Sequence, residues 1–297
     1  MGWLTSNAPA IVCALLAALF VAVGIVVRQI ALQRPGITTE RPGQMVSAVL
    51  HDHLWWAGTG AAIAGFAFQA TALAHGSLLL VQPLLVSSLL FVLPLSAWRA
   101  GHRVTGAEWF WAVLLTSGLA VFVLAGHPHQ GHNRPSTLVC TLGLGAAALI
   151  AIAGVLVALL TAGGVRATSL GVSVAVALGM IAVLTKICTR QFTDGGWHAL
   201  LTSPMVYLLV ALAVIATVLQ QWAFHAGALQ ASVPSMLVGE PVVAVALGLT
   251  VMGEQLTVRG VGTVVLPLAI VAMLAATIAL GRGEGADTER AALSPAS

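Results

Sequence analysis

The residues of this chain that could do chemistry are few, and most sit inside apolar runs. Glu240 stands out. It lies about eleven residues into the run Leu229–Val251, which at 1.5 Å per residue is roughly 16 Å of depth. In a bilayer an ionisable group at that depth costs at least ~2.5–3.5 kcal/mol on insertion scales and usually faces a bundle interior. Glu240 is therefore expected to bind a cation or exchange a proton. The competing reading is a neutral, hydrogen-bonded carboxyl that caps the carbonyl freed near Leu237 by Pro241. Gln69, Gln220 and Gln221 lie one or two turns from tight connections. They either flank a substrate cavity or bond helix to helix, the commoner role in bundles. Pro83, Pro234 and Pro241, with Pro94 as a fourth, each remove a helix hydrogen bond. Such breaks line a cavity or are repaired by neighbours. Arg28 and Lys186 end apolar runs and are expected to snorkel to the membrane surface. The alternative role for both is to anchor an anionic group of a substrate.

Other polar residues have plainer readings. His127, His129 and His132 cluster beside Arg134, but Pro128 and Gly131 signal a turn and no carboxylate or cysteine is near. A solvated loop is expected there, not a metal site. His75 and His225 read as interfacial caps. Glu254 reads as a cap on the last helix, where the dipole favours an acid. The sequence has no Gly-x-Ser-x-Gly, no phosphate-cradling Gly-x-x-x-x-Gly-Lys-Ser/Thr and no His-Glu-x-x-His. No enzyme activity, cofactor or resident metal is expected, and uphill transport would need an ion gradient or a partner protein. Cys13, Cys140 and Cys188 have no metal-ligand spacing and form no even-numbered disulfide set.

The elements that hold these residues follow from composition. Of 297 residues only 7% are charged and 59% are hydrophobic, against roughly 25% charged in soluble domains. A soluble enzyme, a disordered chain and a collagen-like fibre are excluded. The net charge of +3 is scattered and leaves no nucleic-acid footprint. Nine apolar runs are each long enough to cross a bilayer as helix. They are Ala8–Ala31, His53–Ala74, Leu78–Trp98, Glu108–Ala125, Ser136–Thr161, Ser169–Cys188, Pro204–His225, Leu229–Val251 and Val258–Leu280. Met1–Ala8 carries no basic residue and the first run is too long for a signal-peptide core, so a retained helix is expected. Gly60 and Ala64 have helix-packing spacing. Trp55, Trp56, Trp98, Trp109, Trp111 and Trp197 fall near span ends, where aromatic belts sit. Two connections, His75–Ser77 and Ala226–Ala228, are tight hairpins. The longest loop, Leu32–Asp52, holds the turn triplets Arg34-Pro35-Gly36 and Arg41-Pro42-Gly43.

The chain also repeats itself. Gln69, Gly76 and Pro83 are spaced by seven, and so are Gln220, Gly227 and Pro234, with one offset relating all three pairs. Residues 1–126 thus form one quartet of spans and residues 168–280 a second, with a fifth span and loops over 127–167 between them. A shift of five spans reverses the direction of crossing, giving an inverted-topology repeat with a site between the halves. Residues 281–297 are expected to be a disordered tail. Of the Lys and Arg residues, four fall on the N-terminal side and eight on the other. The N-terminus is therefore expected outside and the C-terminus in the cytoplasm.

Two stretches carry a resemblance. Val238-Gly239-Glu240-Pro241-Val242, then Gly253-Glu254-Gln255-Leu256-Thr257 and Gly260-Val261-Gly262, resemble the last repeat of EamA-type members of the drug/metabolite transporter superfamily. The first half, through Leu80-Val81-Gln82-Pro83-Leu84, Arg103-Val104-Thr105 and Gly126-His127-Pro128, looks more like the NIPA-type branch. The resemblance implies two inverted helical halves. EamA-type relatives imply export of a metabolite or drug-like solute, and NIPA-type relatives imply nine spans and magnesium or another divalent cation. Nothing after Leu280 is apolar enough for the tenth span of the former type. The expected partners are the lipid bilayer and a small-molecule or ion substrate, with a homodimer admitted. From other classes, a non-transporting scaffold and an intramembrane enzyme subunit compete, the latter needing a second deep polar group.

Overall fold

The structure is a computed structural model describing residues 2–32, 52–100, 104–131, 137–225, 229–258 and 260–293. Its helices are α1 (Gly2–Leu32), α2 (His53–His75), α3 (Leu78–Leu85), α4 (Ser88–Ala100), α5 (Gly106–Gly126), α6 (Thr137–Leu160), α7 (Gly163–Thr202), α8 (Pro204–His225), α9 (Leu229–Thr250) and α10 (Gly262–Leu293). Two short strands, β1 (Pro128–His129) and β2 (Gln255–Leu256), pair antiparallel. Among the described residues nine helical stretches are long and apolar enough to cross a membrane. The chain is an all-α, multi-pass membrane protein.

Small residues set how the helices pack. In lipid there is no hydrophobic drive between helices, so close backbone approach supplies the contact. A Cβ built on Gly24 would lie 2.9 Å from the Gly58 carbonyl oxygen, and one on Gly65 would lie 3.1 Å from the Val21 nitrogen. Gly58, Gly65 and Ala72 form one buried row of α2 against α1, whose Ala10, Ala14, Ala17 and Ala22 are also buried. Gly60, expected at an interface, instead faces open space. The spacing was right for a seam, but the seam lies on a neighbouring row.

Directions of crossing follow from which residues meet. Gly171 meets Ser232, Gly239 meets Ala175 and Gly179 meets Val243, so α7 and α9 run parallel with α8 crossing between them. Gly118 meets Met273, and Gly126 meets Leu266, so α5 and α10 run antiparallel. Strands β1 and β2 follow α5 and α9, and their pairing puts both of those helix ends on one face. With nine crossings that face also holds the start of α1 and the α2–α3 connection.

Three local departures have physical causes. The third span is not one helix: α3 ends at Leu85 and α4 begins at Ser88. The turn is closed by bonds from Val86 N–H to the Pro83 carbonyl and from Ser87 N–H to the Leu84 carbonyl, and the Ser87 hydroxyl also donates to Leu84 at 2.6 Å. Pro83 is buried within α3, so the break falls just after it. Pro234 and Pro241, by contrast, do not break α9, which runs through both. Each removes one donor, and the surrounding turns hold the helix. Helix α7 is far longer than its expected span and bends at Gly196, at φ 64° and ψ −159°, a region open to essentially glycine alone. Finally, α10 continues to Leu293 where a disordered tail was expected from Gly281. Alanine, arginine, glutamate and leucine are good helix formers, so a polar tail can extend a helix already nucleated by the last span. The Leu32–Asp52 turn triplets and the Ala226–Ala228 bend lie outside the described residues.

Candidate functional site

The most concentrated polar chemistry lies where the α2–α3 connection, α7 and the segment after α9 meet on the N-terminal face. The α2–α3 connection is only Gly76 and Ser77. Ser77 caps α3, its hydroxyl accepting from Leu80 N–H at 3.1 Å. This aims the free N–H groups of Leu78 and Leu79 outward from the first turn. Glu254 meets them from the segment between α9 and β2. Its Oε1 accepts from Leu78 N–H at 2.8 Å and its Oε2 from Leu79 N–H at 3.0 Å. The positive end of α3 therefore faces a carboxylate, the favourable orientation.

Two glycines make this reach feasible. Gly253 takes φ 62°, the left-handed conformation that glycine adopts without steric cost. The chain turns back there, and Glu254 N–H bonds to the Gly248 carbonyl at 3.0 Å. A Cβ on Gly248 would stand 2.8 Å from Leu79 Cδ1 and 3.0 Å from Glu254 Oε2, so α9 meets α3 at this point only through a glycine.

Lys186 of α7 completes the cluster. Its Nζ donates to Glu254 Oε1 at 2.5 Å and to the Gly76 carbonyl at 2.8 Å. Both charged side chains are 0% exposed. A buried ion pair holds only when its remaining lone pairs and protons are bonded. Here Glu254 has three donors and Lys186 has two acceptors. One turn further, Arg190 donates to Gln130 Oε1 at 3.2 Å, forming a second polar tie nearer the mouth. Gln82 Nε2, Thr185 Oγ1 and Gln191 Oε1 are buried beside these segments with no partner among the described residues.

These contacts correct two expectations. Lys186 does not snorkel, because its nitrogen turns inward to a carboxylate and a carbonyl. Glu254 does not cap the last helix; it caps α3, 176 residues away from it in sequence at Leu78. The only sequence signal was that a charge in apolar sequence needs a partner once buried, which does not say which partner. Arg28 behaves differently from Lys186: it is half-buried, and its Nε donates to the Gly24 carbonyl on its own helix at 3.1 Å.

Glu240 lies deeper. Along α9 it shares a row with Met236, Ala244 and Leu247, all buried, while Val242 and Leu249 on the opposite side are 49% and 42% exposed. The carboxyl therefore belongs to the inward face. Glu240 is itself half-buried and has no hydrogen bond or ion pair among the described residues. Since Val243 packs level with Gly179, Lys186 sits above Glu240 by roughly 15 Å, about ten residues of helix rise.

The glutamines are not gathered around Glu240 by any hydrogen bond. Gln69 is half-buried, on the row of α2 that faces α1. Gln220 is half-buried on α8, four residues after the buried Ala216, and Gln221 is exposed. Pro234 is buried and packs near Gly281 of α10, while Pro241 is half-buried. The Ala226–Ala228 stretch that would show whether Gln220 mirrors Gln69 lies outside the described residues.

No family model matches the chain, and no solved structure matches it. An uncharacterized protein of Corynebacterium glutamicum is 36% identical to it over 280 residues, covering 93% of this chain and 96% of that protein. The chain therefore belongs to one family with that Corynebacterium glutamicum protein.

Proposed function

We propose that this protein is a secondary transporter of the drug/metabolite superfamily type that moves a small metabolite or drug-like solute by alternating access. Residues 1–126 and 168–280 are the two inverted halves, and Glu240 is the group that binds the coupling cation or proton. One observation carries the reading. A fully buried ion pair of the second half, Lys186–Glu254, is bonded to Gly76, Leu78 and Leu79 of the first half at one face, while Glu240, without a partner among the described residues, faces inward roughly 15 Å below it. This is the arrangement expected of a carrier closed on one side and loaded from the other. The pairing of corresponding elements adds support: α3 of the third span packs on α9 of the eighth, and α5 of the fourth packs on α10 of the ninth. With the N-terminus outside, the closed face is the outer one.

The test is flux in reconstituted vesicles. Solutes are first identified by ligand-dependent thermal shift of the purified protein, using amino acids, nucleosides, cationic drugs and divalent cations. Glu240→Gln should insert and fold as the parent does and lose coupled uptake. Full coupled uptake by Glu240→Gln would refute the role of Glu240, and the absence of flux for every solute that binds would refute transport itself.

A further inference from the structure

A cavity of about 530 Å³ lies on the same face as the ion pair but apart from it, within the size range of small-molecule sites. Its wall includes Trp3 of α1, Leu124 of α5, His127 and His129 around β1, and Thr257 and Val261 from the segment between β2 and α10. Both halves thus contribute. The two imidazoles meet one indole edge-on: Trp3 and His127 ring centres are 5.1 Å apart at 84°, and those of Trp3 and His129 are 6.4 Å apart at 82°. His127 holds φ 38°, a left-handed conformation uncommon for a residue with a side chain.

Among the described residues the wall offers hydrogen-bond donors and no negative charge. Imidazole and hydroxyl groups can both donate hydrogen bonds, and an indole N–H can only donate. The Trp3 indole N–H is buried with no acceptor among the described residues, an arrangement that normally costs about 1–3 kcal/mol. No carboxylate lines the cavity. Leu124 and Val261 add an apolar side. A cation finds no counter-charge here, whereas an acceptor-rich head on an apolar body finds donors at one end and aliphatic contact at the other.

We propose that this cavity is a binding site for an amphipathic anion, a carboxylate or phosphate borne on an apolar chain. The anion head is held by His127, His129 and Thr257, with Trp3 as the wall that fixes both imidazoles. The same chemistry could come from a soluble organic acid or from an acidic lipid headgroup. Binding here is separate from transport, so the test does not depend on flux.

The full-length protein in phosphatidylcholine nanodiscs is titrated with octanoate, with octylammonium and with inorganic phosphate. Octanoate should bind saturably and at least tenfold more tightly than octylammonium or phosphate. His129→Ala and Thr257→Val, both changes on partly exposed residues, should each weaken octanoate at least fivefold, while Trp222→Leu on α8 should leave it unchanged. If phosphatidylglycerol in the disc competes octanoate away, the acidic headgroup is the occupant; if octanoate binding persists, a soluble acid is. Equal binding of the anion and the cation, equal binding by the His129→Ala and Thr257→Val variants, or no saturable octanoate binding would each overturn the proposal.

Discussion

Removing the ammonium of Lys186 by Lys186→Met leaves Glu254 buried with only two backbone donors. Breaking a buried pair in this way costs about 3–5 kcal/mol, because one charge stays uncompensated. Glu254→Gln leaves Lys186 with only the Gly76 carbonyl and should cost about the same. The double variant behaves differently. Glutamine's one oxygen still accepts from one of the two α3 N–H groups, while its NH2 faces the other and leaves it unpaired, and methionine needs no partner. The N–H that keeps a neutral acceptor loses about 1 kcal/mol and the unpaired one costs about 1–3 kcal/mol, so the double variant should stand about 2–4 kcal/mol below the parent. The coupling between the two changes is then at least about 2 kcal/mol, in the upper part of the usual range for neighbouring residues. Reversible unfolding in mixed micelles, followed by tryptophan fluorescence for all four proteins, measures it. Costs that simply add in the double variant would show that the two charges do not depend on one another, and the buried pair would fall as the core of this polar cluster.

Two further outcomes test the packing. Gly65→Leu should separate α1 from α2, since a side chain there meets the Val21 backbone. An unfolding cost of about 1–3 kcal/mol is expected from overpacking, while Gly60→Ala, in open space, should be neutral or gain up to about 1 kcal/mol from helix propensity. Gly196→Ala places a side chain at a bend that only glycine adopts and should cost about 1–3 kcal/mol; a thermal midpoint equal to the parent's would contradict the bend.

Most of the architecture was legible in the sequence because lipid imposes it. Nine apolar runs had to be helices, and their number and approximate bounds follow from hydropathy alone. What sequence could not give was which rows face each other. Gly60 and Gly65 both sit in small-residue patterns, and only the partner helix decides between them. Glu240 was legible as an inward acid because its depth is set by counting residues. The Lys186–Glu254 pair was not, since each residue has a sufficient local explanation: a lysine near a helix end snorkels, and an acid before a helix caps it. Their union needs Gly76, Gly248 and Gly253 to let three distant segments approach, and no local pattern announces that. The break after Pro83 was half legible. A proline signals disruption but not where the chain re-forms its helix.

The pairing of β1 with β2 has a consequence for how this family can vary. Only two residues from each segment take part, and one of them, Pro128, has no N–H to give. The clasp is therefore made of a few main-chain bonds, indifferent to most side chains and cheap to undo. The exposed Gln255 can change without loss of the clasp, whereas Leu256 also packs on the core, so substitutions at Gln255 would leave the geometry held. Selection acting there would be visible as an intolerance of proline opposite Pro128 or His129 rather than as retained identity.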